Sequence, residues 1–470
     1  MKTAGPRSSR GCVSGPTVRP SCSFRIAPKR AGSQTGSSGW KGARSCLPQC
    51  SRAAASRPDG HMGEASRRAR NHLFSWLCNS SDAPTAQLTE AEWNWIAQVA
   101  RDYRLRPLLH LSQRSGTGPT FPQPFSEECA QSFATQQVRW LKFKAGIVRT
   151  SRALSDANVR HVFLKGTALG LSIAAEPAVR PMRDLDILIP RDRSVAARDA
   201  LTGLGFQALP GDLETALDRG YQQPALIHSA SGLVIELHHD LAALASIDTA
   251  ALAAFVRDSA EHVSLGGHSI PVSAPCATFL HLLLHAGPKS LFDCGPLLLA
   301  DVTMLIEKRA DRLAELYVWA EQFGLLPTLA LVLQLLERHG GATGRLGIDR
   351  AQLPSVAEAL VDHAEGLLVQ PAEAVHQRKM VREARDGAGR LAGIDKAFAR
   401  AFMPSRTGIA ATSGGRIEDR LLWLRYPHWL MKRAWQLLSG LRDRSLAGEV
   451  VRDRALADFL LDDSAPDRTH

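Results

Sequence analysis

Leu164-Lys165-Gly166-Thr167, followed by Arg180-Pro181-Met182-Arg183-Asp184-Leu185-Asp186-Ile187-Leu188-Ile189, reads as a strand end, a small turn with a short helix, and a second strand that opens on two carboxylates. Residues i and i+2 of a strand share a face, so Asp184 and Asp186 aim at one spot. Two acids held together on a buried sheet repel each other and lose hydration. A hard cation relieves both penalties, typically Mg²⁺ shared between carboxylates and substrate phosphates. The stretch points to nucleotide chemistry.

Working outward, residues 159–164 and 185–189 read as strands and 167–174 as a short helix. A helix over 194–204 ends at Gly205, and Leu233-Val234-Ile235-Glu236-Leu237 is a strong apolar strand after Ser231-Gly232. This predicts an α/β unit of roughly 90 residues. Upstream, Thr89-Glu90-Ala91-Glu92 fits a capping box, with Trp93, Ile96, Ala100 and Tyr103 behind it at helical spacing. A longer helix over about 126–156 carries Phe133, Trp140, Leu141, Ile147, Val148 and Leu154 on one face. From Thr249 onward the pattern is mostly helical.

Glu236 is the third acid that turns the pair into a triad. A lone carboxylate inside an apolar strand is expensive, and a strand paired beside Asp184-Leu185-Asp186 would bring it to the same spot. Three such acids suit two metal ions about 4 Å apart, one holding nucleotide phosphates and one activating a hydroxyl. Gly166 allows close backbone approach to a phosphate, and Thr167 offers a hydroxyl at a helix start. Lys165, Arg180 and Arg183 supply positive charge for a transferring phosphoryl group.

These residues resemble the DNA polymerase β-like nucleotidyltransferases, which carry a small turn, a helix, Asp-x-Asp on a strand and a third acid on a later strand. More narrowly, Leu164-Lys165-Gly166, Arg180-Pro181-Met182-Arg183-Asp184-Leu185-Asp186 and Glu236-Leu237-His238 resemble a bacterial group of uncharacterised nucleotidyltransferases, over roughly residues 85–310. The resemblance implies an α+β fold: a small mixed-sheet core flanked by N- and C-terminal helical regions. It implies an enzyme that moves an NMP group from an NTP, such as ATP, to a hydroxyl. Asp184, Asp186 and Glu236 become ligands of two Mg²⁺ ions. Lys165, Gly166, Thr167, Arg180, Arg183 and His238 become nucleotide-binding residues. Asp301 resembles an Asp of the following helical region, and His228 a histidine seen in the group. The 16 residues between Thr167 and Asp184 are more than most polymerase β-like enzymes have.

Composition narrows the partners. Residues 1–70 hold 14 Lys and Arg against only Asp59 and Glu64, a charge of +12, so the +11 of the whole leaves −1 for the other 400 residues. The body is near neutral, whereas a long nucleic-acid acceptor needs a basic channel. A small molecule, a glycan precursor or a protein side chain fits better as the unidentified acceptor. The leader, rich in Ser, Gly, Pro and Arg, reads as disordered. It has a transit-peptide-like composition but no apolar core for a secretory signal, and a start at Met62 would remove most of it. No apolar run reaches the roughly 18 residues of a membrane span. The four body cysteines, Cys78, Cys129, Cys276 and Cys294, are scattered and form no CxxC, which agrees with a cytoplasmic, reduced body.

The predicted organisation is thus a leader (1–70), a helical region (71–157), the nucleotidyltransferase core (158–245), a helical domain (246–375) and a basic linker with a C-terminal helix (376–470). That last helix, Arg420 to Leu441, is aromatic and basic. It reads as packed against the body, with peripheral membrane contact as the alternative. His281 and His285 lack an HExxH motif and read as structural, and Lys289 is placed to reach a nucleotide. A non-catalytic interaction protein that keeps this fold is the competing function.

Overall fold

A computed structural model describes residues 63–80, 87–114, 120–174, 176–371 and 443–461, with short pieces between 374 and 382 and between 426 and 431. Most of the leader therefore lies outside the described residues, but its end does not. Helix α1 begins at Glu64 (Glu64–Leu77), inside the stretch read as leader, and buries Ala69, Leu73, Trp76 and Leu77. The Arg-rich composition there hides an apolar stripe at helical spacing.

Helices α2 (Glu90–Asp102), α3 (Arg106–Arg114) and the 34-residue α4 (Gln123–Asp156) follow. The capping box at Thr89 and Glu92 forms as expected: the Thr89 side chain accepts from the Glu92 N–H, and Glu92 accepts from the Thr89 N–H at 2.7 Å. On α4, Ile147 and Leu154 are buried, while Leu141 is exposed and leaves the predicted apolar face.

The core is then laid down as β1 (Val162–Phe163), α5 (Lys165–Ser172), β2 (Leu185–Leu188), α6 (Ser194–Gly203), β3 (Phe206–Ala208), α7 (Leu213–Arg219), β4 (Leu226–His228) and β5 (Leu233–His238). After α8 (Thr249–Asp258), a hairpin of β6 (Glu261–Leu265) and β7 (His268–Val272) returns to the sheet. The seven strands lie in the order β3-β4-β5-β2-β1-β7-β6. The β2–β5 and β1–β7 pairs are parallel and the others antiparallel. The reading of the chain after Thr249 as helical misses this hairpin, so the sheet extends past residue 245. Gly266 and Gly267, both with positive φ, make its two-residue turn.

Strand alternation divides the apolar side chains between two faces. Leu185 and Ile187 of β2, with Ile235 and Leu237 of β5, pack beneath Phe143, Ile147 and Leu154 of α4 and Leu201 of α6. Leu188 faces the other way, into the larger core that α1 and α2 share with the helices that follow. These are α9 (Pro275–Leu284), α10 (Leu297–Arg309), α11 (Leu316–Gln322), α12 (Leu326–Arg338), α13 (Glu358–Leu368) and α14 (Arg444–Leu460). Asp186, two residues before Leu188, shares that second face. The site therefore lies between the sheet and the helical region.

No helix among the described residues is long and apolar enough to cross a membrane. Most of the predicted terminal helix, 420–441, lies outside the described residues. Within it Trp429 is buried and stacks on Tyr426 at 6.1 Å. Cys78, Cys129, Cys276 and Cys294 are free thiols, pushed up to about 12 by burial.

Candidate active site

Parallel pairing sets the register. Asp186 lies opposite Glu236, and Leu188 opposite His238. Side chains at 236 and 238 share one face of β5, so the pairing carries Glu236 and His238 to the face of Asp186. One ligand atom each from Asp186, Glu236 and His238 lies within 4.8 Å of the others. Asp184, just before β2, stands outside that tight group but close enough for its charge to act on both acids.

Asp186 is the centre. Its Oδ1 accepts from Lys165 Nζ at 2.8 Å and from His238 Nε2 at 2.9 Å. Burial pushes this carboxyl up, but the Lys165 ammonium and the His238 N–H outweigh it and hold Asp186 well below the usual carboxylate range. Lys165 is moved up in turn: burial opposes its charge, and Asp186 overcomes that. The His238 ring is lowered by burial in spite of Asp186. A neutral ring donating from Nε2 keeps Nδ1 as its acceptor. Its Nε2 also lies 3.7 Å from Glu236 Oε2.

The outer acids differ. Asp184 and Glu236 are both raised, first by burial and then by neighbouring carboxylates, Asp186 above all. Lys165 answers only part of that charge. The Glu236 side chain is still 27% exposed, so it is reachable from outside. Three oxygen-donor side chains, two of them short of counter-charge, fit a hard divalent cation. His238 is a softer donor and is already engaged with Asp186.

The turn before α5 is built for the same centre. Lys165 has φ +43, a left-handed conformation uncommon for a side-chain-bearing residue. Leu164 N–H donates to Asp186 O at 3.0 Å, tying the turn to β2. Gly166 is required by contact: a Cβ there would lie 2.4 Å from Arg180 Nη1 and 3.0 Å from Met182 Cγ. Arg180 cannot swing aside freely, because its Nε and Nη2 donate to Asp301 at 2.8 and 2.7 Å. Gly166→Ala is therefore expected to displace Arg180 and cost about 1–3 kcal/mol by overpacking, read as a lower unfolding midpoint in denaturant.

The predicted residues thus separate into groups. Lys165, Asp186, Glu236 and His238 come together, with Asp184 at their edge. Arg180 stands behind Gly166, locked to Asp301 across 121 positions of sequence. Thr167 is buried, its hydroxyl directed to Met182 Sδ at 3.8 Å, away from the acids. Arg183 is exposed at the rim. His228 lies elsewhere, its Nδ1 2.9 Å from Ser231 Oγ.

Other groups complete the wall. Tyr221 stacks on His238 with ring centroids 5.9 Å apart. Its neighbour Gln222 bridges to His238, beyond the β5 residues that pair with β4, a placement no local pattern announces. Lys289 lies over the Tyr221 ring, 4.1 Å from its centroid. Burial and the nearby Lys165 lower the Lys289 ammonium to about 8, against the pull of Asp186 and Glu236. His281 is buried and His285 partly so. Burial lowers both, with Lys165 as the next cause, and His285 falls to about 3. Both rings lie near enough to Asp186 for its charge to oppose that lowering.

A sheet with parallel strands at its centre, three acids between those strands and a turn feeding a short helix define a nucleotidyltransferase core. The family model described as uncharacterised nucleotidyltransferase matches residues 89–341, more than half the chain, and the chain belongs to that family. A comparison with curated proteins finds no match.

Proposed function

We propose that this protein transfers an NMP group from an NTP to a hydroxyl of a small molecule, a glycan precursor or a protein, with two Mg²⁺ ions held by Asp184, Asp186 and Glu236. The observation that carries this reading is the parallel register that sets Asp186 opposite Glu236, with Asp184 and Glu236 short of counter-charge. When bound, Mg²⁺ supplies Lewis-acid polarisation of the phosphate and lowers the pKa of the attacking hydroxyl.

The chain's own residues do the rest. The acceptor oxygen forms a bond to the α-phosphorus, the bond to the β-phosphate oxygen breaks, and pyrophosphate leaves with that electron pair. Glu236, partly exposed and raised in basicity, takes the hydroxyl proton. Lys165 carries a positive charge to the phosphoryl group as negative charge grows there. His238 orients Asp186 through Nε2–H. Arg180 acts by position, holding the Gly166 turn against β2, and Arg183 at the rim is free to meet an arriving phosphate. The near-neutral body supports a compact acceptor over a long nucleic acid.

The Lys165–Asp186 ion pair favours the competing reading, a scaffold in which a lysine takes the place of a cation. Pyrophosphate release separates the two. Incubation with each of the four NTPs and a panel of hydroxyl acceptors should give Mg²⁺-dependent pyrophosphate and a labelled acceptor when the NTP carries an α-phosphate label. Free phosphate in place of pyrophosphate would mean hydrolysis instead, and no turnover under any combination would favour the scaffold.

A further inference from the structure

Helix α9 runs on into a widened π-helical turn, His285–Lys289, that contains Pro288. Such turns are rare and concentrate at functional sites. Leu291 and Phe292 follow with φ +47 and +62, both left-handed. Gly287 abuts Thr328 so closely that a Cβ would lie 2.4 Å from Thr328 Oγ1. The backbone of this turn is fixed by its neighbours, and it brings Lys289 and His285, its last and first residues, to the cleft.

The Lys289 ammonium has three N–H donors. One is spent on Leu241 O at 3.1 Å, and the ammonium rests over the Tyr221 ring. Lys165 is paired with Asp186 and assigned to the transferring phosphoryl group, and Arg180 is chelated by Asp301. Lys289 has no carboxylate within ion-pair distance among the described residues, so it is an inward-facing cation of the cleft still available to an anion. The His285 ring, one turn earlier and partly accessible, has no hydrogen-bond partner among the described residues, although its carbonyl accepts from Ser290 Oγ.

Resting on the transfer reading, in which the acids take the α-phosphate, the leaving group must be held from the opposite wall. We propose that Lys289, with His285 beside it, holds the β- and γ-phosphates of the incoming nucleotide and then the departing pyrophosphate. Lys289 stays protonated throughout. It donates N–H to phosphate oxygens that gain charge as the bond from the α-phosphorus breaks and the electron pair moves onto pyrophosphate.

The test is calorimetric titration of full-length wild type, Lys289→Met, Lys289→Arg and His285→Gln with magnesium pyrophosphate, AMP and the NTP that wild type binds best of the four. Lys289→Met should weaken pyrophosphate and NTP binding by roughly 10- to 100-fold, the scale of a charge-assisted hydrogen bond, and leave AMP unchanged. Lys289→Arg should keep most of the pyrophosphate affinity, and His285→Gln should show a smaller loss of the same selectivity. If Lys289→Met does not fold, Lys289→Gln, which keeps a donor toward Leu241, carries the same comparison. Equal losses for AMP and pyrophosphate would mean that Lys289 only supports the fold, and unchanged binding would likewise overturn the inference while leaving the transfer reading intact. Wild type that binds none of the four NTPs would remove both.

Discussion

Replacing Asp186 by Asn is expected to leave the chain folded and to reduce pyrophosphate release by roughly 10³-fold, the scale of losing one preorganised charge-stabilising group. The substitution keeps shape and keeps an oxygen for the His238 Nε2–H, now 2.9 Å from Oδ1. What it removes is the charge. Asp186 is the only one of the three acids held well below its ordinary range, so it is the carboxylate fixed in its ionised form. Lys165 loses its partner but is partly exposed, which limits the cost of leaving it unpaired. An unchanged circular dichroism spectrum beside the lost turnover would assign the effect to chemistry. Turnover within a few-fold of wild type would show that the acid centre is not used.

The largest effect on stability is expected far from the acids, at Glu365. This side chain is 1% exposed. It accepts from Arg70 at 2.5 Å, from His339 Nε2 at 2.9 Å and from Arg338 at 3.1 Å. It thereby ties α1 to α12 and α13. Glu365→Ala leaves the buried Arg70 charge unanswered, and breaking such a pair costs about 3–5 kcal/mol. That is a large part of the roughly 5–15 kcal/mol that holds a domain folded. Denaturant unfolding monitored by tryptophan fluorescence reads the loss.

The same residue predicts a pH dependence. Burial pushes Glu365 up, but His339, Arg70 and Arg338 outweigh it and hold the carboxyl below its ordinary 4.5. A depressed folded-state value means stability that is fully present above 4.5 and is lost as pH falls through the folded value. The difference in unfolding free energy between wild type and Glu365→Gln should hold steady at roughly pH 5–7 and shrink below that range. A difference that grows on acidification would contradict the pairing.

The site was legible where it depended on local spacing. Asp184 and Asp186 declare a shared face through the two-residue period of a strand, and Glu236 declares itself as an acid inside an apolar run. The β2–β5 register then brings Asp186 and Glu236 together. What could not be read depends on contacts between distant segments. Nothing near Arg180 announces Asp301, and nothing near Tyr221 announces His238. Thr167 suits a phosphate turn by residue type, but packing against Met182 turns its hydroxyl inward.

Two other omissions have different causes. The β6–β7 hairpin carries His262 and Ser264 on its alternating positions, paired with Pro271 and Ser269. That weakens the apolar signal, although Gly266-Gly267 marks the turn. Helix α1 is masked by its arginines, one of which, Arg70, is buried with Glu365 and not solvated as its composition suggests.

The three acids are proposed to bind an NTP through a divalent cation. Calorimetric titration of NTP into wild type and into the Asp184→Ala plus Asp186→Ala double variant, each with and without Mg²⁺, tests it most directly. Binding by wild type is expected to require Mg²⁺ and to be lost in the double variant. Equal binding by the two chains, or wild-type binding indifferent to Mg²⁺, would contradict it.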